Sequence, residues 1–171
     1  MRASTFFATA AALATTVSAG MVPTFAKRYN VTQAWGEWQV TNFTASSHPS
    51  NSVIDFQIFW NQGNSGPVKC NADGYSVGGE GKWYACESND TPSGNFHFNL
   101  NQDWNQLSLS QDMYQTGAIV HLNGSAAFDI KWGYSSAGSE ATAEPFYVPV
   151  LSESHTLPNG TTTAPVFSSR K

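Results

Sequence analysis

Gly74-Tyr75-Ser76-Val77-Gly78 reads G-x-S-x-G, the spacing of a nucleophile elbow. That chemistry needs the serine on a strained strand-to-helix turn, with an acid and a histidine later in the chain. Here glycines follow the serine and no helical period does, so a flexible Gly/Ser loop is the better reading. His48, His97, His121 and His155 show neither H-E-x-x-H nor any other paired spacing. His97 and His121 fall in apolar alternating runs, where a hydrogen-bonded structural histidine is expected. Asp55 and Asp129 are the strand-borne carboxylates that a glycosidase would use, facing each other about 5–9.5 Å apart across a cleft. Both lie opposite the apolar residues of their runs, which predicts solvated side chains. Cys70 and Cys86 have no histidine or second cysteine pair at metal-ligand spacing, and there is no C-x-x-C. The residues therefore predict no catalytic, metal or cofactor site. Six tryptophans could stack on sugars. Trp60, Trp83 and Trp132 fall in apolar strand patterns and read as core, whereas Trp35 and Trp104 lie near turns and are the better candidates for exposure.

The elements that must position these residues are strands. Apolar residues recur with period two, the mark of a half-buried strand. The runs are Trp38, Val40 and Asn42; Ile54, Phe56, Ile58 and Trp60; Val68, Cys70 and Ala72; and Trp83, Tyr84 and Cys86. They continue through Phe96, Phe98 and Leu100; Leu107 and Leu109; Ala118, Val120 and Leu122; and Phe128, Ile130 and Trp132. Phe146, Val148 and Val150 close the series, with Pro145 and Pro149 marking an edge strand. Turn residues separate the runs, and Asn123-Gly124 between two of them is a hairpin signal. Beyond the N-terminal segment no window holds a 3.6-residue apolar period. The reading is a single all-β domain, an antiparallel β-barrel or β-sandwich. Residues 152–171, with Pro158 and Pro165 among threonines, read as a flexible C-terminal tail.

The first residues predict export. Arg2 supplies a positive start, Phe6 to Val17 a short apolar stretch, and Val17-Ser18-Ala19 the small residues a signal peptidase reads. A signal peptide over 1–19 follows, cleaved after Ala19. A membrane span would need about 20 strongly apolar residues, and this stretch is shorter and diluted by Thr and Ser. Lys27-Arg28 is a dibasic pair of the kind that Golgi processing proteases cut, giving a propeptide over 20–28 and a mature chain from Tyr29. Asn30, Asn42, Asn89, Asn123 and Asn159 each begin an N-x-[ST] sequon and are candidate glycan acceptors in an exported chain, of which two or more, but not all five, are expected to be used.

Without residues 1–28 the chain has 143 residues, with 5 basic against 12 acidic residues and a formal charge of −7. This excludes nucleic acid and anionic membrane as partners, since both select a basic face. Charged residues are 12% of the chain and aromatics 13%, so Ser, Thr, Asn, Gln and Gly must cover the surface. In an oxidising compartment the even pair Cys70 and Cys86 reads as a disulfide.

Gly81-Lys82-Trp83-Tyr84-Ala85-Cys86 resembles the K-W-Y-x-C strand of the Alternaria major-allergen (AA1-like) family of fungal secreted proteins, which includes hypersensitive-response elicitors. Trp38-Gln39-Val40-Thr41-Asn42-Phe43 is similar to that family's W-x-[IV]-x-x-F, and Cys70-Asn71-Ala72 to its C-x-A. Phe96 to Leu100 and Leu107 to Leu109 occupy the places of its next two strands. The similarity runs from about Trp35 to about Leu122, within a β domain over 29–151. The resemblance implies a Cys70–Cys86 disulfide joining neighbouring strands. It also implies a secreted effector or elicitor that meets plant extracellular proteins or cell-wall components and can act as an allergen. The family supplies no catalytic residues. Its allergen member has further cysteines for covalent dimerisation. This chain has none, so no disulfide-linked dimer is expected. Three functions are weighed: a non-catalytic effector-like binder, a cell-wall carbohydrate binder and a small glycosidase.

Overall fold

The structure, a computed structural model, describes residues 35–48, 51–60, 66–74, 82–87, 94–115, 117–136 and 138–167. The export segment, Lys27-Arg28, Asn30, Asn89 and most of the G-x-S-x-G motif lie outside the described residues. The strands are β1 (Glu37–His48), β2 (Asn51–Trp60), β3 (Val68–Asp73), β4 (Tyr84–Ala85), β5 (Asn95–Leu100) and β6 (Gln106–Gln115). They continue as β7 (Ala118–Ala127), β8 (Lys131–Ser135), β9 (Gly138–Thr142), β10 (Phe146–Thr156) and β11 (Val166–Phe167).

Every described pairing is antiparallel, and the main path runs β3-β2-β1-β10-β7-β6-β5-β4. The two strands that end this path meet each other. Cys70 on β3 is disulfide-bonded to Cys86, one residue past β4. Beside it the Glu87 N–H donates to the Lys69 carbonyl over 2.8 Å. The fold is thus a nearly closed barrel, and the disulfide is its clasp. Sheet edges expose unpaired backbone groups, which closure removes; here a covalent bond holds the two end strands of the path together.

Period-two alternation fills the interior. Ile54, Phe56 and Ile58 of β2, Phe96, Phe98 and Leu100 of β5, and Leu107 and Leu109 of β6 are all buried. Phe98 meets Phe56 edge-on at 4.9 Å and stacks on Tyr84 at 5.6 Å. Strand β1 breaks phase. Between Thr41 and Thr44 the register with β2 slips, and Asn42 takes a left-handed φ of 53°, the conformation asparagine tolerates best after glycine. Trp38 and Val40 face inward before this bulge, and Phe43 and Ala45 after it. Asn42 itself is exposed, not an inward member of the run.

Four sequence expectations are corrected. Asn123-Gly124 is not a turn but the middle of β7, whose hairpin to β6 closes around Gly117. A Cβ on Gly124 would stand 2.1 Å from the Pro149 carbonyl oxygen and 2.8 Å from the Trp38 ring, so this glycine marks a close approach. The Pro145–Pro149 strand is not an edge. β10 lies between β1 and β7, and Pro149 falls where β10 hands its pairing from β1 to β7. The flexible tail assigned to 152–171 is strand up to Thr156. It pairs with β7 and then returns through a turn to β11. Ladder hydrogen bonds hold this polar segment, which has little apolar content to announce a strand. The run from Phe128 is also shortened. Residues 128–130 form the connection to β8, where buried Phe128 stacks on Phe146 at 4.4 Å.

Candidate functional site

Three of the tryptophans depart from the sequence expectation: Trp35, Trp104 and Trp83. Trp35 and Trp104 are buried, 8% and 6% exposed. The Trp35 indole N–H donates to Glu153 over 2.8 Å, and Trp104 meets Trp132 edge-on at 5.6 Å. Trp104 sits in the β5–β6 turn, which Asn101 ties together by accepting from the Asn105 and Gln106 N–H groups. Trp60 and Trp132 are half-buried against the core. Trp83, expected in the core, is 43% exposed. In this segment Tyr84 and Cys86 take the inward phase, so Trp83 and Ala85 point out. Trp83 stands beside the seam of the barrel, next to β4. Cys86 is pinned to β3 three residues on, Tyr84 stacks in the core, and the Lys82 carbonyl accepts from the Asn99 amide. The Lys82 ammonium lies 4.7 Å from the Tyr84 ring centre. Tyr114, Tyr134 and Tyr147 are the other well-exposed aromatics among the described residues.

Asp55 and Asp129 are not brought together. Asp55 is held across β3 by the Asn71 amide at 3.2 Å and the Lys69 ammonium at 3.5 Å, while Asp129 is exposed in the β7–β8 connection. His97 is half-buried on the outer face of β5, opposite Ser110. His48 ends β1 opposite Asn51.

His121 enters a chain that the sequence did not reveal. Register places Asp112 of β6 directly opposite His121 of β7, with Thr156 of β10 on the next strand. His121 Nδ1 lies 2.7 Å from Asp112 Oδ1, and Nε2 lies 2.8 Å from Thr156 Oγ1. Thr156 Oγ1 is in turn 3.0 Å from Thr162 Oγ1. The carboxylate accepts, so Nδ1 donates; in the neutral imidazole Nε2 then accepts from the Thr156 hydroxyl. Acid, imidazole and hydroxyl in this order are the parts of an activated nucleophile. Acyl transfer also needs N–H donors aimed at the developing oxyanion. In the adjoining turn the Leu157 N–H goes to Thr161 O, Gly160 N–H to Leu157 O, Thr161 N–H to Asn159 Oδ1 and Thr163 N–H to His155 O. These four donors are engaged within the protein. What the chain does plainly is tie β6, β7, β10 and the C-terminal turn together. His121→Ala and Thr156→Val should each cost about 1 kcal/mol in urea unfolding, with the double variant costing less than the sum. Additive losses would mean that the two side chains act separately.

Beside Thr156 lies an open cleft of about 480 Å³, lined by Tyr114, Ile119, Leu157, Pro158 and Gly160 among others. On the inner side of β10, Glu153 is 2% exposed. Its carboxylate accepts from the Trp35 indole and meets His155 Nε2 at 2.5 Å, so both oxygens are engaged. Gln111, fully buried, accepts from the Trp38 indole over 2.7 Å. These contacts satisfy buried polar groups within the barrel wall, as burial requires. Among the described residues no group of three or more His, Cys, Asp or Glu side chains is placed to hold a metal.

No family model, no curated protein and no solved structure matches this chain.

Proposed function

We propose that this chain is a secreted effector- or elicitor-like protein of AA1-like type that binds a host extracellular component and performs no chemistry on it. The observation that carries the reading is the Cys70–Cys86 clasp between the two end strands, with Trp83 held exposed beside it. A structural disulfide needs an oxidising compartment, in keeping with the export segment. A rigid exposed tryptophan is the residue type most enriched among binding anchors. The outward positions of β5, β6, β7 and β10 are Asn, His, Ser, Asp and Thr for the most part, the reverse of a lipid-facing barrel. The engaged N–H groups beside Thr156 further favour binding over acyl transfer.

The test is infiltration of purified secreted protein into leaf tissue of several plant hosts. Wild type should elicit a defence response, and Trp83→Ala should weaken it at least tenfold in the dose required, as loss of a hot-spot anchor does. The variant should keep the wild-type melting temperature. No response in any host would remove the role. Retention on insoluble glucan, chitin or cellulose would move the reading to a carbohydrate binder, and reducing-sugar release would move it to a glycosidase.

A further inference from the structure

We infer that Asn159 carries an N-linked glycan, and that this glycan roofs the cleft beside Thr156. The inference rests on the export reading and goes beyond it to a particular site.

Asn159-Gly160-Thr161 forms the tip of the turn that leads from β10 toward β11, and all three residues are exposed. The turn is well fixed. Leu157 N–H donates to Thr161 O and Gly160 N–H to Leu157 O, each over 2.9 Å, with Gly160 at φ 80°. Asn159 Oδ1 accepts from the Thr161 N–H over 2.9 Å. This engages the carboxamide oxygen of the exposed Asn159 and leaves its nitrogen donating to no described residue. The other described sequons differ. Asn42 gives its side-chain N–H to Gln57 Oε1 over 3.1 Å, in a bulge of β1. Asn123 is half-buried in the middle of β7, opposite Ser110 on one side and Ser152 on the other. Of these three, Asn159 alone sits on a turn tip with a free nitrogen. Glycan acceptors are surface loop positions in secreted chains.

The transfer is balanced with a lipid-pyrophosphate-linked oligosaccharide as donor. Asn159 Nδ2 forms a bond to the anomeric carbon of the first sugar and loses one proton. The bond from that carbon to the pyrophosphate oxygen breaks, and the oxygen keeps the electron pair.

The consequence lies in the neighbours. Pro158 and Gly160, on either side of Asn159, both line the cleft, with Tyr114, 76% exposed, among the other lining residues. A sugar tethered at this rim is at high local concentration over the cleft. Its ring C–H faces can cover Tyr114 and Leu157, apolar surface that the protein leaves open.

The test is expression of the full chain in a secreting eukaryotic host, followed by mass spectrometry of the tryptic peptide 132–170. Asn159 is the only sequon in that peptide. The expected result is a glycan on Asn159 in most molecules, lost in Thr161→Ala, which removes the sequon and spares the Asn159 Oδ1 bond. Amide exchange at Tyr114, Gln115, Gly117, Ala118, Ile119 and Leu157 should be several-fold slower with the glycan than after its enzymatic removal. Secreted protein with bare Asn159 overturns the site. A glycan on Asn159 with unchanged exchange overturns the roof. Retention inside the cell with an uncleaved N-terminus instead refutes the export reading and, with it, the site.

Discussion

Gly124→Ala is expected to cost about 3 kcal/mol or more, the upper range of overpacking, or to prevent folding outright. The added carbon would stand 2.1 Å from the Pro149 carbonyl oxygen. That oxygen belongs to the backbone of β10 and cannot swing away as a side chain would. On its other flank lies the Trp38 ring at 2.8 Å. Trp38 is fully buried, hydrogen-bonded to Gln111 and packed edge-on against Phe96 at 6.2 Å. Gly124 therefore lets β10 and β7 close over the largest core side chain at the point where β10 changes partner. Gly66→Ala is the control, because its Cβ would meet nothing within 4 Å. Urea unfolding should show a large fall for the first variant and none for the second. Equal, small effects would mean that β7 and β10 do not approach as described.

Removing the clasp is the second large effect. In the chain-entropy model a disulfide closing a loop of 15 residues contributes about 3 kcal/mol. For a domain of this size that is a fall in Tm of roughly 10 °C, expected for Cys70→Ala/Cys86→Ala and for wild type under reductant. The loss should begin at the seam. β4 has two residues, and beyond Tyr84 and Ala85 opposite Phe98 and His97 the described backbone bonds of this segment are Cys86 N–H to Phe96 O and Glu87 N–H to Lys69 O. Trp83 emission should shift toward that of solvated indole before the core unfolds. An unchanged Tm would show that the barrel stays shut without the bond.

Where one face of a strand meets core and the other meets water, the alternation was readable, as in Ile54, Phe56 and Ile58 or Phe96, Phe98 and Leu100. The cysteine pair was readable on other grounds, as an even pair in an oxidising setting. The bulge at Asn42 was hidden, because one inserted residue moves Phe43 inward without changing composition. Gly124 imitated a hairpin, since Asn-Gly carries the same local signal whether the glycine serves a turn or a close approach. In Trp83-Tyr84 two adjacent aromatics compete for one inward phase, and Tyr84 takes it, in step with the bridged Cys86 and stacked on Phe98. The C-terminal part of β10 and the Asp112–His121–Thr156 chain depend on contacts between residues up to 37 positions apart, Ile119 opposite Thr156 being the widest. Sequence periodicity does not report such pairing. A long outward polar series on β6 (Ser108, Ser110, Asp112) was the signal that could have placed Asp112 beside His121.

The clasp underlies both the closed barrel and the extracellular reading, and disulfide mapping of the secreted protein tests it most directly. A non-reduced digest, with thiols blocked before unfolding, is predicted to yield the peptide bearing Cys70 covalently linked to the peptide bearing Cys86, and no blocked cysteine. Blocked free thiols at Cys70 and Cys86 in the folded, secreted protein would contradict the account.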